Sequence, residues 1–481
     1  MLSIKKNLAY NFLLSASYII FPLFSIPYIA RVLDPAGIGK VSFIDSFTYY
    51  FISIAEFGIV VYGMREIARL KNDPEKRSKL VSELLTLHLL SSFITLLLYL
   101  VSVYFIWNKI DDIRLLLFSL SFLLVNFFAC EWYFLGMEQF KFITMRSLIT
   151  RGLGLLSIFV LITNPDDYYI YYAIIAGSAI VTSLWNNYLL FSELKIRFTK
   201  VNWKKHVPHT MITYSISLVY GVTLMLDTVF LGLISSATVV GWYAFSMKIV
   251  RISTGVLTDT LLVFFPRIVF LLQEKNYSEV QILISKNLQL IILFSLPLGA
   301  GLFLLSGELV TVFLGAQFIP AADNLKILAF YPLIKAYNLF LSKQILISHN
   351  KEILYLKSLV AGSLIFVVLT FILSSRLADQ GACYAILAGE FSILLFNLYY
   401  VKRIAPMLQV FQWKSFFQGL TGAILFIPII FLLKLSGFSE TVFLISSVII
   451  CFMTYMLFQT YIIKNSFMLL LKQAVKKKGF N

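Results

Sequence analysis

Lys248, Arg251 and Asp259 lie inside the otherwise apolar stretch GWYAFSMKIVRISTGVLTDTLLVFFPRI, which runs from Gly241 to Ile268 and is closed by Pro266. Charges in oil-soluble sequence bind an oppositely charged ligand, carry an ion, or neutralise one another. At ~100° of helix per residue, Arg251 falls about 60° to one side of Lys248 and Asp259 about 20° to the other, so one narrow stripe holds all three. Each charge near the centre of a membrane span costs ~2.5–3.5 kcal/mol against lipid, or roughly 8–10 for the three. The stripe must therefore face something other than lipid.

The same test picks out further residues. Arg151, Lys335 and Arg31 are cations in or at the end of apolar segments, and Asp227, Glu131 and Glu56 are acids at or near membrane depth. Asp227 and Lys248 sit at similar distances from the turn near Ala237, which places them at equal depth on adjacent helices, where they can pair directly. Each of these groups has a structural alternative as an ion pair or as a side chain reaching to the interface.

Composition settles what kind of element carries them. The 481 residues are 59% hydrophobic and only 13% charged, with mean hydropathy +0.86, whereas soluble domains run near 25% charged. The chain reads as an all-α integral membrane protein. A span needs roughly 20 apolar residues, and fourteen segments qualify: 8–30, 41–62, 83–106, 113–135, 143–163, 169–191, 210–234, 241–265, 285–306, 323–348, 353–373, 379–400, 412–433 and 441–463. The first is too long for a signal-peptide core and reads as a retained span.

Loop charge predicts orientation. With the N-terminus inside, the inner segments hold 27 Lys or Arg, and the outer ones hold five: Arg31, Lys40, Lys109, Arg376 and Lys434. Both termini are expected in the cytoplasm. The net charge of +16 is then a basic cytoplasmic face against anionic lipid headgroups, with no nucleic-acid partner implied. Five of the six tryptophans, Trp107, Trp132, Trp203, Trp242 and Trp413, fall near expected interfaces.

The chain also repeats. A shift of 202 residues puts Gly39 on Gly241, Phe43 on Phe245 and Arg65 on Arg267, and lays the third segment on the ninth without a gap. The expected organisation is an N-terminal lobe (1–200, spans 1–6), a C-terminal lobe (201–405, spans 7–12), and spans 13–14 with a basic tail (406–481). Six spans per lobe give parallel repeats, which can enclose a central cavity and rock around it.

Four stretches carry a family likeness: IARVLDPAGIGKVSF (29–43), EFGIVVYGMREIARLKNDPEK (56–76), EWYFLGMEQFKFITMRSLITR (131–151) and SKQILISHNKE (342–352). They resemble the polysaccharide flippases, O-antigen and capsule repeat-unit translocases of Wzx type, within the multidrug/oligosaccharidyl-lipid/polysaccharide exporter superfamily. The family often has Gln before the glycine of the third stretch; Leu135 stands there in this chain, so no role of that amide carries over. The resemblance implies a flippase that moves undecaprenyl-diphosphate-linked oligosaccharide from the inner to the outer leaflet of the bacterial cytoplasmic membrane. Its partners would be the lipid-linked oligosaccharide, anionic lipids and other polysaccharide-assembly membrane proteins. A cation-lined cavity suits such an anionic head, which makes Arg251, Lys248, Arg151, Lys335 and Arg31 the candidate substrate-binding residues. Asp227, Asp259, Glu131 and Glu56 are candidates for H+ or Na+ coupling or for ion pairing.

Little else in the sequence suggests chemistry. Cys130, Cys383 and Cys451 have neither disulfide nor zinc spacing, and His206 and His209 flank Pro208 in a cytoplasmic loop. No phosphate-binding glycine loop with its lysine is present, and no cofactor is expected. Asp111-Asp112 and Asp166-Asp167 would fit a glycosyltransferase or polymerase, but the outer loops, the longest about 307–322, are too short for a catalytic lobe. The expectation is a transporter rather than an enzyme, with a multidrug cation antiporter of the same superfamily as the nearer alternative.

Overall fold

In a computed structural model the described residues are 4–196, 198, 201–465 and 468, and they are helical with no strand among them. The chain divides into two compact units, Met1–Gly241 and Trp242–Asn481.

The first unit contains α1 (Ile4–Val32), α2 (Pro35–Ala55), α3 (Ile59–Arg69), α4 (Pro74–Ile106), α5 (Ile113–Val125), α6 (Glu131–Gly136), α7 (Phe140–Leu161), α8 (Tyr168–Glu193), α9 (Val207–Leu224) and α10 (Leu226–Ile234). Its helix starts are written locally. Asp34 caps α2 by accepting from the Gly37 N–H at 2.6 Å, Asp73 caps α4 through Lys76 N–H at 3.0 Å, and a proline opens each helix. Helix α2 packs on α4, α5, α9 and α10, while α1 packs on α7 and α5 on α8. A core of Tyr62, Leu84, Trp132, Tyr133, Phe134 and Leu190, among others, is buried where α3, α4 and α6 meet α8.

The second unit holds most of α11 (Ala237–Leu262), then α12 (Phe265–Gln273), α13 (Tyr277–Leu304), α14 (Ser306–Phe313), α15 (Ala321–Leu328), α16 (Tyr331–Leu339) and a π-helical segment (Phe340–Ile347). There follow α17 (Glu352–Ile404), α18 (Trp413–Ile424), α19 (Phe426–Lys434) and α20 (Glu440–Leu457). Helix α13 is the spine, packing on α12, α16 and α18, and α20 lies on α14 and α19.

Nine helices among the described residues are long and apolar enough to cross a membrane, or eleven if each of two bent pairs counts as one span. The expected count of fourteen is not confirmed by length and hydropathy alone, and several of the expected segments are interrupted for local reasons. The second and seventh segments bend by 44°, at α2/α3 and α9/α10. At the first bend Phe57 (φ 48°) and Gly58 (φ 71°) take left-handed conformations, and a Cβ on Gly58 would lie 2.8 Å from the Thr210 carbonyl. Segment 113–135 breaks into α5, a 3-10 turn and α6. Segment 323–348 breaks before Pro332, which has no N–H to continue a helix, and ends in the π segment. Segments 353–373 and 379–400 are the two arms of α17, which reverses at the non-helical Ala378 (φ 49°) between them and brings Gly381 against the Leu373 backbone.

The 202-residue shift has a physical counterpart. A Cβ on Gly39 would fall 1.7 Å from the Ala237 carbonyl oxygen, and a Cβ on Gly241 1.9 Å from that of Pro35. Pro35 and Ala237 are themselves one shift apart, so the two contacts are reciprocal: equivalent glycines let equivalent helix starts cross at backbone distance.

Candidate functional site

In the first unit, Arg151 projects from α7 and is half-buried. It donates to Ser17 Oγ at 3.2 Å, and its guanidinium carbon sits 3.6 Å from the centre of the Tyr18 ring, a close stacked cation–π contact. Tyr18, Asp45, Glu56 and Arg151 each lie within electrostatic reach of Tyr49. Glu56 occupies the bend between α2 and α3, and Glu131 opens α6 within reach of it. The structure thus brings Arg151, Glu56 and Glu131 into one polar neighbourhood.

Glu131 has a partner that the loop-charge reading misplaced. Arg146, one of the 27 cations assigned to the inner segments, is 2% exposed inside α7, 2.7 Å from Glu131, and also donates to Asn186. A fully buried arginine requires such a carboxylate, so Glu131 is engaged in an ion pair. Asp227 is fully buried in the first turn of α10. It accepts from the Thr228 N–H at 2.8 Å and hydroxyl at 3.3 Å, where the positive end of a helix favours an anion. Arg31 is exposed in the last turn of α1.

In the second unit, Lys248 and Arg251 are both half-buried on α11, one turn apart, and the Lys248 ammonium lies 5.7 Å from the centre of the Phe245 ring. Phe245 is itself stacked on Phe318 at 5.3 Å. Asp259 is exposed in the last turn of the same helix. Lys335 on α16 is paired with Glu390 on α17, whose side chain is 1% exposed. Asn338 donates to the Glu390 carboxylate and to its carbonyl, both at 2.8 Å, and Asn397 donates to Asn338. The Lys335 charge is therefore met by a carboxylate held from two sides.

Sequence reading missed Asp45, Arg146, Glu390 and Lys343. Lys343 is half-buried in the π segment, one residue before Gln344, which ties Asn287 to the Leu261 carbonyl. The signal for Glu390 was available: it is one carboxylate in the uncharged run YAILAGEFSILLFNLYY, the same anomaly that singles out Arg251. No group of three or more His, Cys, Asp or Glu that could hold a metal occurs among the described residues.

The architecture is one already seen in transporters. The solved lipid II flippase MurJ in an inward closed conformation matches with a TM-score of 0.72 at 16% identity, over 95% of this chain and 99% of that one. A crystal structure of a MATE point mutant matches at 0.58 and 13% identity, over 82% and 94%. These likenesses show a shared fold. A family model described as polysaccharide biosynthesis protein matches residues 4–272, and the chain belongs to that family. A protein provisionally named O-antigen transporter from Escherichia coli strain K12 is 24% identical over 409 residues, covering 84% of this chain and 97% of its own. The lipid II flippase MurJ of Bacillus subtilis strain 168 is 30% identical over 160 residues, 33% of this chain and 29% of its own. These relatives carry the names of a transporter and a flippase, and the chain is a multi-pass membrane protein.

Proposed function

We propose that this protein is a flippase that carries undecaprenyl-diphosphate-linked oligosaccharide from the inner to the outer leaflet of the bacterial cytoplasmic membrane, by alternating access, for surface polysaccharide assembly. Both termini are then cytoplasmic, as the loop charges expect. The observation that carries the reading is the pair Lys248 and Arg251, half-buried one turn apart on an apolar helix, in a chain whose relatives handle O-antigen and lipid II. A diphosphate cannot cross hydrocarbon unescorted, and two cations at membrane depth offset its desolvation while the lipid tail stays in the bilayer. Within the first unit, Arg151, stacked on Tyr18, offers a cation beside an aromatic face for a sugar ring. Lys335 serves less well, because Glu390 already neutralises it. The candidates for coupling to H+ or Na+ are Asp227, Asp259 and Glu56, while Glu131 is held by Arg146.

The test is a deletion strain lacking paralogues, in which surface polymer disappears and the lipid-linked precursor collects in the inner leaflet. Arg251→Glu fails to restore export through repulsion of the diphosphate, and Arg251→Lys restores part of it, keeping charge but losing the bidentate fork. Normal surface polymer in the deletion strain sinks the flippase reading. Full export by Arg251→Glu at equal abundance removes Arg251 from the site.

A further inference from the structure

A cavity of about 350 Å³ opens in the first unit where α2, α10 and the start of α11 meet the turn that follows α4. This falls within the ~300–1,000 Å³ range of small-molecule sites. Its floor is built by glycine. Gly39 meets the Ala237 carbonyl, and a Cβ on Gly232 would lie 2.4 Å from the Phe43 ring. Neither glycine leaves room for a Cβ, so the helices that line the cavity meet closely at these two positions.

The walls are polar and carry surplus positive charge. Lys40, Asn108, Lys109, Asp111, Ser235 and Ser236 line them. The Lys40 ammonium lies 3.4 Å from Asp111 and 5.4 Å from the centre of the Tyr168 ring. Lys109 has no ion-pair partner among the described residues. The neighbouring acid, Asp112, is spent on the rim: Arg114 reaches it at 2.8 Å and the Tyr168 hydroxyl at 2.9 Å, and the Arg114 hydrogen bonds hold its carboxyl below the usual range. Two cations against one available carboxylate leave the cavity with a net charge of +1 at neutral pH.

Lys40 and Lys109 are also two of the five basic residues expected on the outer face, where the positive-inside bias depletes them. Two of these scarce cations converge on one hollow that also offers hydroxyl and amide groups and the apolar faces of Phe43, Leu115 and Val240. That set suits a ligand with an anionic group, many hydroxyls and an apolar ring face. We propose that this cavity is an outer-face docking site for an acidic sugar, its carboxylate held between Lys40 and Lys109. The assignment rests on the flippase reading for the source of the sugar, the head of the translocated substrate.

The test is binding of free glucuronate to the purified chain in lipid nanodiscs, followed by saturation-transfer NMR, with glucose and inorganic phosphate as comparison probes. Glucuronate binds, glucose binds more weakly, and Lys40→Gln or Lys109→Gln each weaken glucuronate about tenfold, the scale of one charge-assisted hydrogen bond. Asp111→Asn, which releases Lys40, tightens it. Lys109 is exposed, so its variant keeps the thermal midpoint of the parent. Unchanged glucuronate binding in the double lysine variant overturns the proposal. Phosphate binding as tightly as glucuronate, or loss of glucuronate binding when phosphatidylglycerol replaces phosphatidylcholine in the disc, overturns it in favour of a lipid-headgroup site. The assay involves no transport, so its failure leaves the flippase reading standing, and failure of the deletion test leaves the binding result intact.

Discussion

Replacing either glycine of the reciprocal crossing by alanine tests whether the repeat seen in the sequence is a structural contact. On the present backbone the new methyl of Gly39→Ala sits 1.7 Å from the Ala237 oxygen, and that of Gly241→Ala 1.9 Å from the Pro35 oxygen. Ordinary contact begins at 3.4 Å, so the helix starts must part by about 1.5 Å or more, and neither obstacle is a side chain that can rotate away. Overpacking of this kind costs ~1–3 kcal/mol where neighbours can shift, and a backbone obstacle puts each variant at or above the top of that range. Both contacts sit at one crossing, so parting the helices for one relieves the other. The double variant should lose less than the sum of the singles. Gly152→Ala and Gly177→Ala are the controls, since nothing lies within 4 Å of a Cβ at either site and alanine favours helix by up to ~1 kcal/mol. The assay is the thermal midpoint and the monodisperse fraction of the detergent-solubilised protein, together with membrane abundance. If Gly39→Ala and Gly241→Ala melt with the parent, or if their losses add, the close reciprocal crossing is wrong.

Further outcomes follow from the buried polar groups. Glu390→Gln removes the carboxylate that meets the Lys335 ammonium and should cost up to ~3–5 kcal/mol, whereas Lys335→Met with Glu390→Leu recovers much of that loss; thermal midpoints and abundance of the single and double variants check this. His206 joins the connection before α9 to α3 and α4. Its Nε2–H donates to Glu83 at 3.0 Å, the Tyr62 hydroxyl donates to its Nδ1 at 2.8 Å, and Lys205 and His209 lie beside it. Burial pushes its imidazole below the ordinary 6.5, so between that value and the lower folded one the unfolded chain binds the extra proton. Stability should fall as pH drops below about 6.5, and in His206→Gln that part of the pH dependence of the thermal midpoint should vanish.

The sequence by itself determined the solvent of this protein and most of its helices, because hydropathy and length are local properties that the bilayer reads directly. It also determined where many helices begin, since Asp34 before Pro35 and Asp73 before Pro74 carry their caps with them, and it exposed the charged stripe of α11 as an anomaly. Tertiary structure decided the continuity of some spans: the bend at Gly58 closes against the Thr210 carbonyl, which no window of hydropathy records, whereas the reversal at Ala378 falls in the gap the sequence leaves between 373 and 379. It decided which charges are spent. Arg146 looked like a loop cation until Glu131 and Asn186 closed on it inside the fold, and Lys335 looked available until Glu390 arrived from another helix. Residues far apart in the chain meet only after folding, so the sequence can show that a charge is out of place without showing what answers it. The two matched glycines bridge these levels: their spacing is written in the chain, and the reason for it, two backbones in contact, exists only in the folded protein.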